Sequence, residues 1–285
     1  MGNGVEGEAE EATLSAGIAG CILMGMDKAS VLSWSAVVLG VLAGLAIGIY
    51  GMPELPVWAW VLLLLLILVG ITAGQISANL PAQLRLDPIP DFEPTEAMEE
   101  ALEEVKALGF RTFGAPSALN LQPSAVLVSL INEEALSYSS VYVVGGPKQV
   151  LGWDFVAMFQ EPRGGLTTVP RRDGAALRHS PGELIQVFED ATPEQAFQRH
   201  LETLVALQKK GLRVEPVAAE GHAERLAASS LHKRQHFFRN PVLGAWVALW
   251  RVVTRSTPHM GPILDQKVGA KEVERMLAQR GLEGR

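Results

Sequence analysis

The sequence predicts an α+β protein, in which an N-terminal transmembrane helical hairpin precedes a small domain with a mainly antiparallel sheet and packed helices. Three observations support this class: two long uncharged apolar runs near the N-terminus, short β-branched segments in the middle, and amphipathic helical patterns after them. The predicted parts are an acidic N-terminus with a short apolar segment (1–30), the hairpin (31–76), a linker (77–94), the α+β domain (95–256) with a basic amphipathic segment (231–256), and a helical tail (257–285).

The two apolar runs have the length and charge pattern of membrane spans. Residues 31–50 form a run of twenty without a charge, about 30 Å long as a helix. Residues 57–73 form a run of seventeen, which is at the lower limit for crossing a bilayer. Amphipathic rings prefer the headgroup level, and aromatic residues lie at the ends of these runs: Trp34, Tyr50, Trp58 and Trp60.

The stretch between the runs predicts their orientation. It contains Pro53 and Pro56, which cannot continue a helix, and it has no lysine or arginine, whereas Lys28 and Arg85 flank the far ends. Because loop lysines and arginines mark the cytosolic side, both termini are predicted to be cytosolic. The single cysteine, Cys21, excludes an internal disulfide framework and favours a reducing compartment.

Small residues recur at every fourth position of both runs: Ala36, Gly40, Gly44 and Gly48 in the first, Gly70 and Gly74 in the second. In lipid, such rows allow helix backbones to approach closely, so these glycines are predicted to be helix-packing residues. Two interpretations stay open: the runs pack on each other within one chain, or they pack between chains in an oligomer. Residues 13–26 form a further apolar run that is too short to span, and whether it enters the membrane also stays open.

The middle of the chain predicts strands that are rich in β-branched and aromatic residues and bounded by glycine and proline turns. The predicted strands are 125–131, 140–144, 153–159, 166–169 and, as a fifth candidate, 184–188. The third and fourth are expected to form a hairpin over the turn QEPRGG.

Helices are predicted on both sides of these strands. One begins after Pro94 and ends at Gly109, with an acidic face that we interpret as solvated. A capping box of Thr192 and Gln195 starts a second helix, which ends at Gly211. Further helices are expected at about 217–239 and at 270–280.

The segment 231–256 has bases on both sides of a short apolar run. From Arg225 to the end of the chain, bases outnumber acids eleven to four, against a net charge of −7 overall. Two interpretations of 241–253 stay open: a helix lying in the interface of an anionic leaflet, or a core helix of the domain. The residues predicted to lie at the interface here are Lys233, Arg234, Arg239, Trp246, Trp250 and Arg251.

No motif for catalysis, cofactor binding or nucleic-acid binding stands out. GNGVEG matches Gly-x-Gly-x-x-Gly but follows no strand, and phosphate-binding loops and nucleophile elbows do not occur. His232 and His236 share a helix face without a third ligand, so no metal is predicted. Asp154 would act as an acid or base only if the sheet buried it against Arg163 or His179. We therefore predict no catalytic residue and no cofactor.

Three stretches carry a resemblance to a known group: DFVAMFQEPRGGLTTVPR, TPEQAFQRHLETLVALQKKG and FFRNPVLGAWVALWRVV. In this order the chain resembles uncharacterised bacterial membrane proteins with two N-terminal transmembrane helices and a cytosolic α+β domain, over residues 110–256. The resemblance implies a multi-pass protein of the bacterial inner membrane, and it carries no activity and no site residue.

The leading hypothesis is a membrane-anchored interaction or regulatory protein that acts, without catalysis, at the cytosolic face of the inner membrane. Its expected partners are the lipid bilayer, anionic inner-leaflet lipids, and a protein partner or a second copy, but not nucleic acid. One alternative is an oligomeric channel or transport component packed through the glycine face of the first span. It lacks the ionisable residues that mark ion paths. A further alternative is an enzyme that acts on lipids.

Overall fold

The computed structural model describes residues 56–79, 83–120, 125–145, 150–160, 164–170, 180–254 and 259–283. The helices are α1 (Val57–Asn79), α2 (Glu96–Ala107), α3 (Pro193–Lys209), α4 (His222–Phe238), α5 (Pro241–Thr254) and α6 (Lys267–Glu283). The strands are β1 (Leu86–Pro88), β2 (Arg111–Thr112), β3 (Ser117–Leu119), β4 (Ala125–Asn132), β5 (Ser137–Val144), β6 (Val150–Phe159), β7 (Gly164–Val169) and β8 (Glu183–Val187).

The strands form one sheet in the order β1-β3-β4-β5-β6-β7-β8, with β2 paired to β4. Among the described strands every pairing is antiparallel except that of β7 with β8. The predicted α+β fold with a mainly antiparallel sheet and packed helices is therefore confirmed. The predicted pairing of the third and fourth strands is also present, since β6 and β7 pair antiparallel from Phe155 with Thr168 to Phe159 with Gly164.

Local sequence signals set the helix ends. Gly109, just beyond α2, has φ 85°, a left-handed conformation that glycine adopts without strain. At the start of α3 the capping box forms as predicted. Thr192 Oγ1 accepts from the Gln195 backbone N–H at 3.3 Å, and Gln195 Oε1 accepts from the Thr192 N–H at 3.2 Å.

The larger part of the core lies on one face of the sheet, under α2, α3 and α6. Phe155 of β6 is fully buried and meets Phe197 of α3 with ring centroids 5.0 Å apart. Helix α2 adds Met98 and Val105, both fully buried. Farther along the sheet, α3, α6 and the segment before α6 pack on β6, β7 and β8 through Phe159, Leu166, Leu184, Leu207, Ile263 and Met276.

The opposite face of the sheet is approached by α4. Near the start of this helix His222 packs on Tyr138 of β5, with ring centroids 4.6 Å apart. Farther along the helix, Lys233 Nζ pairs with Glu183 Oε1 of β8 at 2.5 Å. The sheet therefore separates the molecule into an α2–α3–α6 side and an α4 side. Helices α5 and α1 extend from the α4 side, since α5 packs on both α4 and α1.

The prediction of membrane-crossing helices is corrected by this structure. Among the described helices, none is long and apolar enough to cross a membrane. The apolar run of α1 ends at Ala73, so as a helix it reaches only about 25 Å, less than a hydrocarbon core of about 30 Å. The first predicted span, 31–50, lies outside the described residues. The predicted localisation as a multi-pass protein of the inner membrane with both termini cytosolic is therefore wrong.

Candidate functional site

Helix α5 places its small residues inward and its large apolar residues outward. Gly244, Ala245 and Ala248 are buried. In contrast, Val242 is 60 % exposed and Trp250 is 56 % exposed. A helix that packs only to stabilise its own domain buries its largest apolar side chains, because they contribute most when removed from water. The opposite distribution on α5 indicates a surface that receives something else.

The inward face of α5 is shaped to fit its neighbours closely. A Cβ placed on Gly244 would lie 2.6 Å from the ring of Phe237, the last buried residue of α4. Ala248 and Phe237 form an apolar contact cluster to which Ala73 of α1 adds. The small residues of α5 thus allow close contact with α4 and α1, and this contact fixes which face points outward.

Asn240 defines the corner between α4 and α5. Its side-chain Oδ1 accepts from the Leu243 backbone N–H at 3.1 Å, which is the contact of an N-cap residue. Pro241 follows at the first position of α5, where its missing N–H costs nothing. The start of α5 and its outward face are therefore set by local sequence.

The exposed apolar residues of α5 and of the end of α4 together form what we call the tryptophan face. It consists of Phe238 at the end of α4 and Val242, Leu243, Trp246 and Trp250 on α5, each at least 41 % exposed. The rings of Trp246 and Trp250 stack along the helix with centroids 6.5 Å apart. Indole rings combine a large apolar area with one N–H donor, a chemistry suited to boundaries between apolar and wet surroundings.

Two arginines lie beside the tryptophan face. The Arg234 guanidinium lies over the Phe238 ring at 4.5 Å from its centroid, and Arg239 is exposed at the corner. Residues 226–264 contain five bases and no acid. Of the bases predicted to lie at an interface, Lys233 pairs with Glu183 of the sheet, and its interface role stays a prediction. The side chain of Arg251 lies outside the described part of the structure, as do Trp34 and Tyr50.

Helix α1 exposes a second apolar surface, which we call the α1 ridge: Trp58, Leu62, Leu66, Gly70 and Gly74, spaced four residues apart. Among the described atoms, nothing lies within 4 Å of a Cβ placed on either glycine. The packing predicted for these two glycines stays a prediction, because Gly40, Gly44 and Gly48 lie outside the described residues. Trp60, the remaining aromatic of this helix, is half-buried.

Asp154 lies in the interior of the sheet on β6, on the α4 side. Its Oδ1 accepts from the backbone N–H of Ser140 at 3.0 Å. Burial raises the pKa of Asp154 to about 6, while the hydrogen bonds from Ser140 and the charge of Lys233 act to lower it. Arg163 and His179, which would complete an acid–base site with it, lie outside the described residues.

A buried polar network was not foreseen from the sequence. The His200 ring, on the inward face of α3, is 0 % exposed. Its Nδ1 lies 2.7 Å from Thr168 Oγ1 and its Nε2 lies 3.2 Å from Ser137 Oγ. Gln186 and Thr203 complete the network, since Gln186 Nε2 donates to Thr168 Oγ1 and Thr203 Oγ1 donates to Gln186 Oε1.

The partners of His200 fix its protonation. Ser137 donates its hydroxyl proton to the carbonyl of Ala135 at 2.9 Å, so it accepts from His200 Nε2–H. Thr168 already accepts from Gln186, so it donates to His200 Nδ1. Burial lowers the pKa of this ring to about 3. A neutral, enclosed histidine with both nitrogens satisfied holds α3 against the sheet and is out of reach of a substrate.

The burial of His200 could have been predicted from the helix pattern. Phe197, His200, Leu204 and Leu207 follow the three- and four-residue spacing of one helix face, so His200 belongs to the buried stripe of α3. The two histidines considered as metal ligands differ from it, because His232 is exposed and His236 is half-buried. In the part of the chain that the structure describes, no group of three or more acidic, histidine or cysteine side chains could hold a metal ion.

Comparisons with protein-family models, with curated proteins and with solved structures found no match to this chain. No relative therefore supplies a substrate, a partner or a site residue. The tryptophan face and the α1 ridge are the features whose exposure the fold itself does not explain, and the function has to be argued from their chemistry.

Proposed function

We propose that this is a non-catalytic interaction protein that binds an anionic lipid surface through the tryptophan face. The proposal depends on one observation: the small residues of α5, Gly244 and Ala248, face inward, whereas its large apolar residues Trp246 and Trp250 face outward. In this arrangement α5 lies along the lipid surface. Its fourteen residues reach only about 21 Å, too short to cross a bilayer.

The chemistry of the face matches a headgroup boundary. Stacked indole rings and aliphatic side chains suit the depth just below the headgroups, where interfacial helices place their apolar face. Arg239 is exposed at the border of this face, where headgroup phosphates would accept from it, and the Arg234 guanidinium lies over Phe238 beside it. A protein with a net charge of −7 would be repelled by an anionic surface unless it approached with a locally basic side.

Vesicle flotation of the full-length chain tests the proposal. We expect binding to vesicles that contain phosphatidylserine, weaker binding to pure phosphatidylcholine, and no competition by millimolar inorganic phosphate, since a free anion lacks the apolar layer. The double variant Trp246→Glu/Trp250→Glu should lower the partition coefficient at least about tenfold, because two carboxylates then replace two rings that would enter the lipid boundary.

A matched control exists on the other side of the sheet. Val205 of α3 is 49 % exposed, so Val205→Glu also adds a carboxylate at an exposed apolar position, but away from the face. This variant should bind vesicles like the natural protein. Equal binding by the tryptophan variant, or equal loss in the Val205 variant, would overturn the proposal. If the natural protein forms dimers and does not bind vesicles, and the tryptophan variant is monomeric, the face binds a second copy of the chain.

A further inference from the structure

We propose that the ion pair between Lys233 and Glu183 is an autoinhibitory contact, which holds one base of α4 on the sheet and away from the lipid surface. Breaking the pair would add Lys233 to the bases that meet anionic headgroups. The inference rests on the proposed lipid binding, and it names a contact that limits the strength of that binding.

The position of Lys233 in α4 makes it a base that lipid could recruit. It is adjacent to Arg234 and lies six residues before Arg239, about 9 Å along the helix axis. Charges act over about 10 Å at 0.1 M salt, so headgroups that attract Arg239 would also attract a free ammonium at this position. A flexible four-carbon stem carries the ammonium, so it can exchange one partner for another.

The carboxylate of Glu183 is held in place to receive this ammonium. Its side chain is only 15 % exposed, and both of its oxygens have partners. Glu183 Oε1 pairs with Lys233 Nζ at 2.5 Å, and Oε2 accepts from Ser180 Oγ at 2.6 Å. Ser180 is itself 3 % exposed, so it orients the carboxylate from within the fold. A carboxylate with so little water around it needs a paired cation, which favours the contact with Lys233 over solvent.

The negative charge that neutralises Lys233 comes from the sheet. Residues 226–264 contain no acid, so no carboxylate of this stretch can pair with its bases. Asp154 of β6 attracts the same ammonium through its charge. The sheet therefore reduces the positive charge that α4 and α5 would otherwise present to an anionic surface.

Flotation of the full-length chain with phosphatidylserine vesicles tests the inference. Glu183→Gln keeps an acceptor for Ser180 Oγ and removes the charge that holds Lys233. It should bind about fivefold more tightly than the natural protein at low salt, which is the effect of one added base. The gain should vanish at high salt, where the charge is screened. The variant Glu183→Gln/Lys233→Gln removes both charges and should bind like the natural protein.

A matched control lies on α3, on the far side of the sheet. Glu202 pairs with Arg199 at 3.0 Å, so Glu202→Gln also removes one negative charge and frees one base, but away from the tryptophan face. This variant should bind like the natural protein. An equal gain in Glu202→Gln would show that net charge governs binding, and it would overturn the inference.

The remaining outcomes separate the inference from the proposed function. If the natural protein binds but Glu183→Gln binds no more tightly, the inference is wrong and the lipid binding stands. A gain that the double variant keeps, or that persists at high salt, also contradicts the inference, because the charge of Lys233 would then not be its cause. If the natural protein does not bind phosphatidylserine vesicles, both proposals are wrong.

Discussion

His200 is fully buried and Asp154 is half-buried in the sheet, and burial shifts the pKa values of these two side chains in opposite directions. The pKa of His200 falls to about 3 and that of Asp154 rises to about 6, because in each case the low-dielectric surroundings disfavour the charged form. Each shift links protonation to folding, but with opposite sign. Between pH 6 and 4 the two effects partly cancel in the natural protein, so each has to be isolated by a variant.

The His200 shift predicts a stability difference that depends on pH. The folded-state pKa lies below the value of about 6.5 for an unfolded histidine, so the unfolded state binds more protons and stability falls as the pH drops below about 6.5. By pH 5 this costs the natural protein about 2 kcal/mol. His200→Asn should destabilise by about 1–3 kcal/mol at pH 7, through loss of the contacts to Ser137 and Thr168, and this difference should shrink by about 2 kcal/mol at pH 5.

Urea unfolding followed by tryptophan fluorescence at the two pH values measures this difference. His222 does not affect the comparison, because its pKa, lowered to about 4 mainly by burial, is common to both proteins. A difference in the free energy of unfolding that is the same at pH 7 and pH 5 would show that His200 is protonated in the folded state.

Asp154 predicts the reverse behaviour. Its folded-state pKa lies above the unfolded value of 3.8, so its stabilising contribution is present at low pH and is lost as the pH rises through about 6. Asp154→Asn keeps an acceptor for the Ser140 N–H and removes the buried charge. It should therefore stabilise the protein by about 1–3 kcal/mol at pH 8, and the gain should vanish near pH 4.

Denaturant unfolding at pH 8 and pH 4 checks this second expectation. Asp87→Asn, which removes an exposed carboxylate of β1, is the matched control for the loss of one negative charge. Destabilisation by Asp154→Asn at pH 8 would instead assign the carboxylate a stabilising ion pair with Lys233.

The α4–α5 corner is the element on which the proposed function depends. Phe237 is 5 % exposed beneath Gly244, and Asn240 caps the helix that follows. If this corner loosens, α5 loses the contact that directs Trp246 and Trp250 outward. The fit at Gly244 is therefore needed both for stability and for the shape of the tryptophan face.

Gly244→Ala should destabilise the protein, although alanine is the better helix former. The added Cβ would lie 2.6 Å from the Phe237 ring, so this buried ring or one of the two helices must shift, at a cost of about 1–3 kcal/mol. Gly281→Ala in α6 is the control, because among the described atoms nothing lies within 4 Å of its Cβ. It should stabilise by about 0.5–1 kcal/mol. The same sign of change in both melting temperatures would refute the close contact at Gly244.

Helices and strands were predictable where local signals decide them. The capping box at Thr192, the stop at Gly109 and the strand pattern of residues 153–159 gave the right elements, because caps, glycine conformations and β-branched residues act over a few positions. The parallel pairing of β8 with β7 was not predicted, since strand order depends on long-range packing. The interpretation of residues 57–73 as a membrane span was wrong: seventeen apolar residues reach only about 25 Å as a helix, and no described helix is long and apolar enough to cross a membrane.

The two sides of the molecule have contrasting chemistry. Beneath α2, α3 and α6, large apolar side chains and the His200 network fill a core of ordinary kind. On the other side, α1 and α5 expose large apolar side chains, and Arg234 and Arg239 lie at the α4–α5 corner. The tryptophans and arginines of this surface were predicted to lie at a membrane interface, and that role stays a prediction. The sequence left open whether residues 241–253 pack inward or outward, because this depends on what α4 and α1 present to them.

This asymmetry predicts how ionic strength acts on lipid binding. Arg239 is exposed at the corner of the tryptophan face, and a base near an anionic bilayer contributes about 1 kcal/mol at low salt, which is about fivefold in the partition coefficient. Arg239→Gln should therefore bind phosphatidylserine vesicles about fivefold more weakly at low salt and only slightly more weakly at high salt, where the charge is screened within a few ångströms.

Lys210→Gln makes the same change of charge beyond the end of α3, on the far side of the sheet, and should leave the partition coefficient unchanged at either salt concentration. If both variants lose affinity equally, net charge and not the orientation of α5 governs binding. If Arg239→Gln has no effect at low salt, the apolar side chains of the face account for binding by themselves.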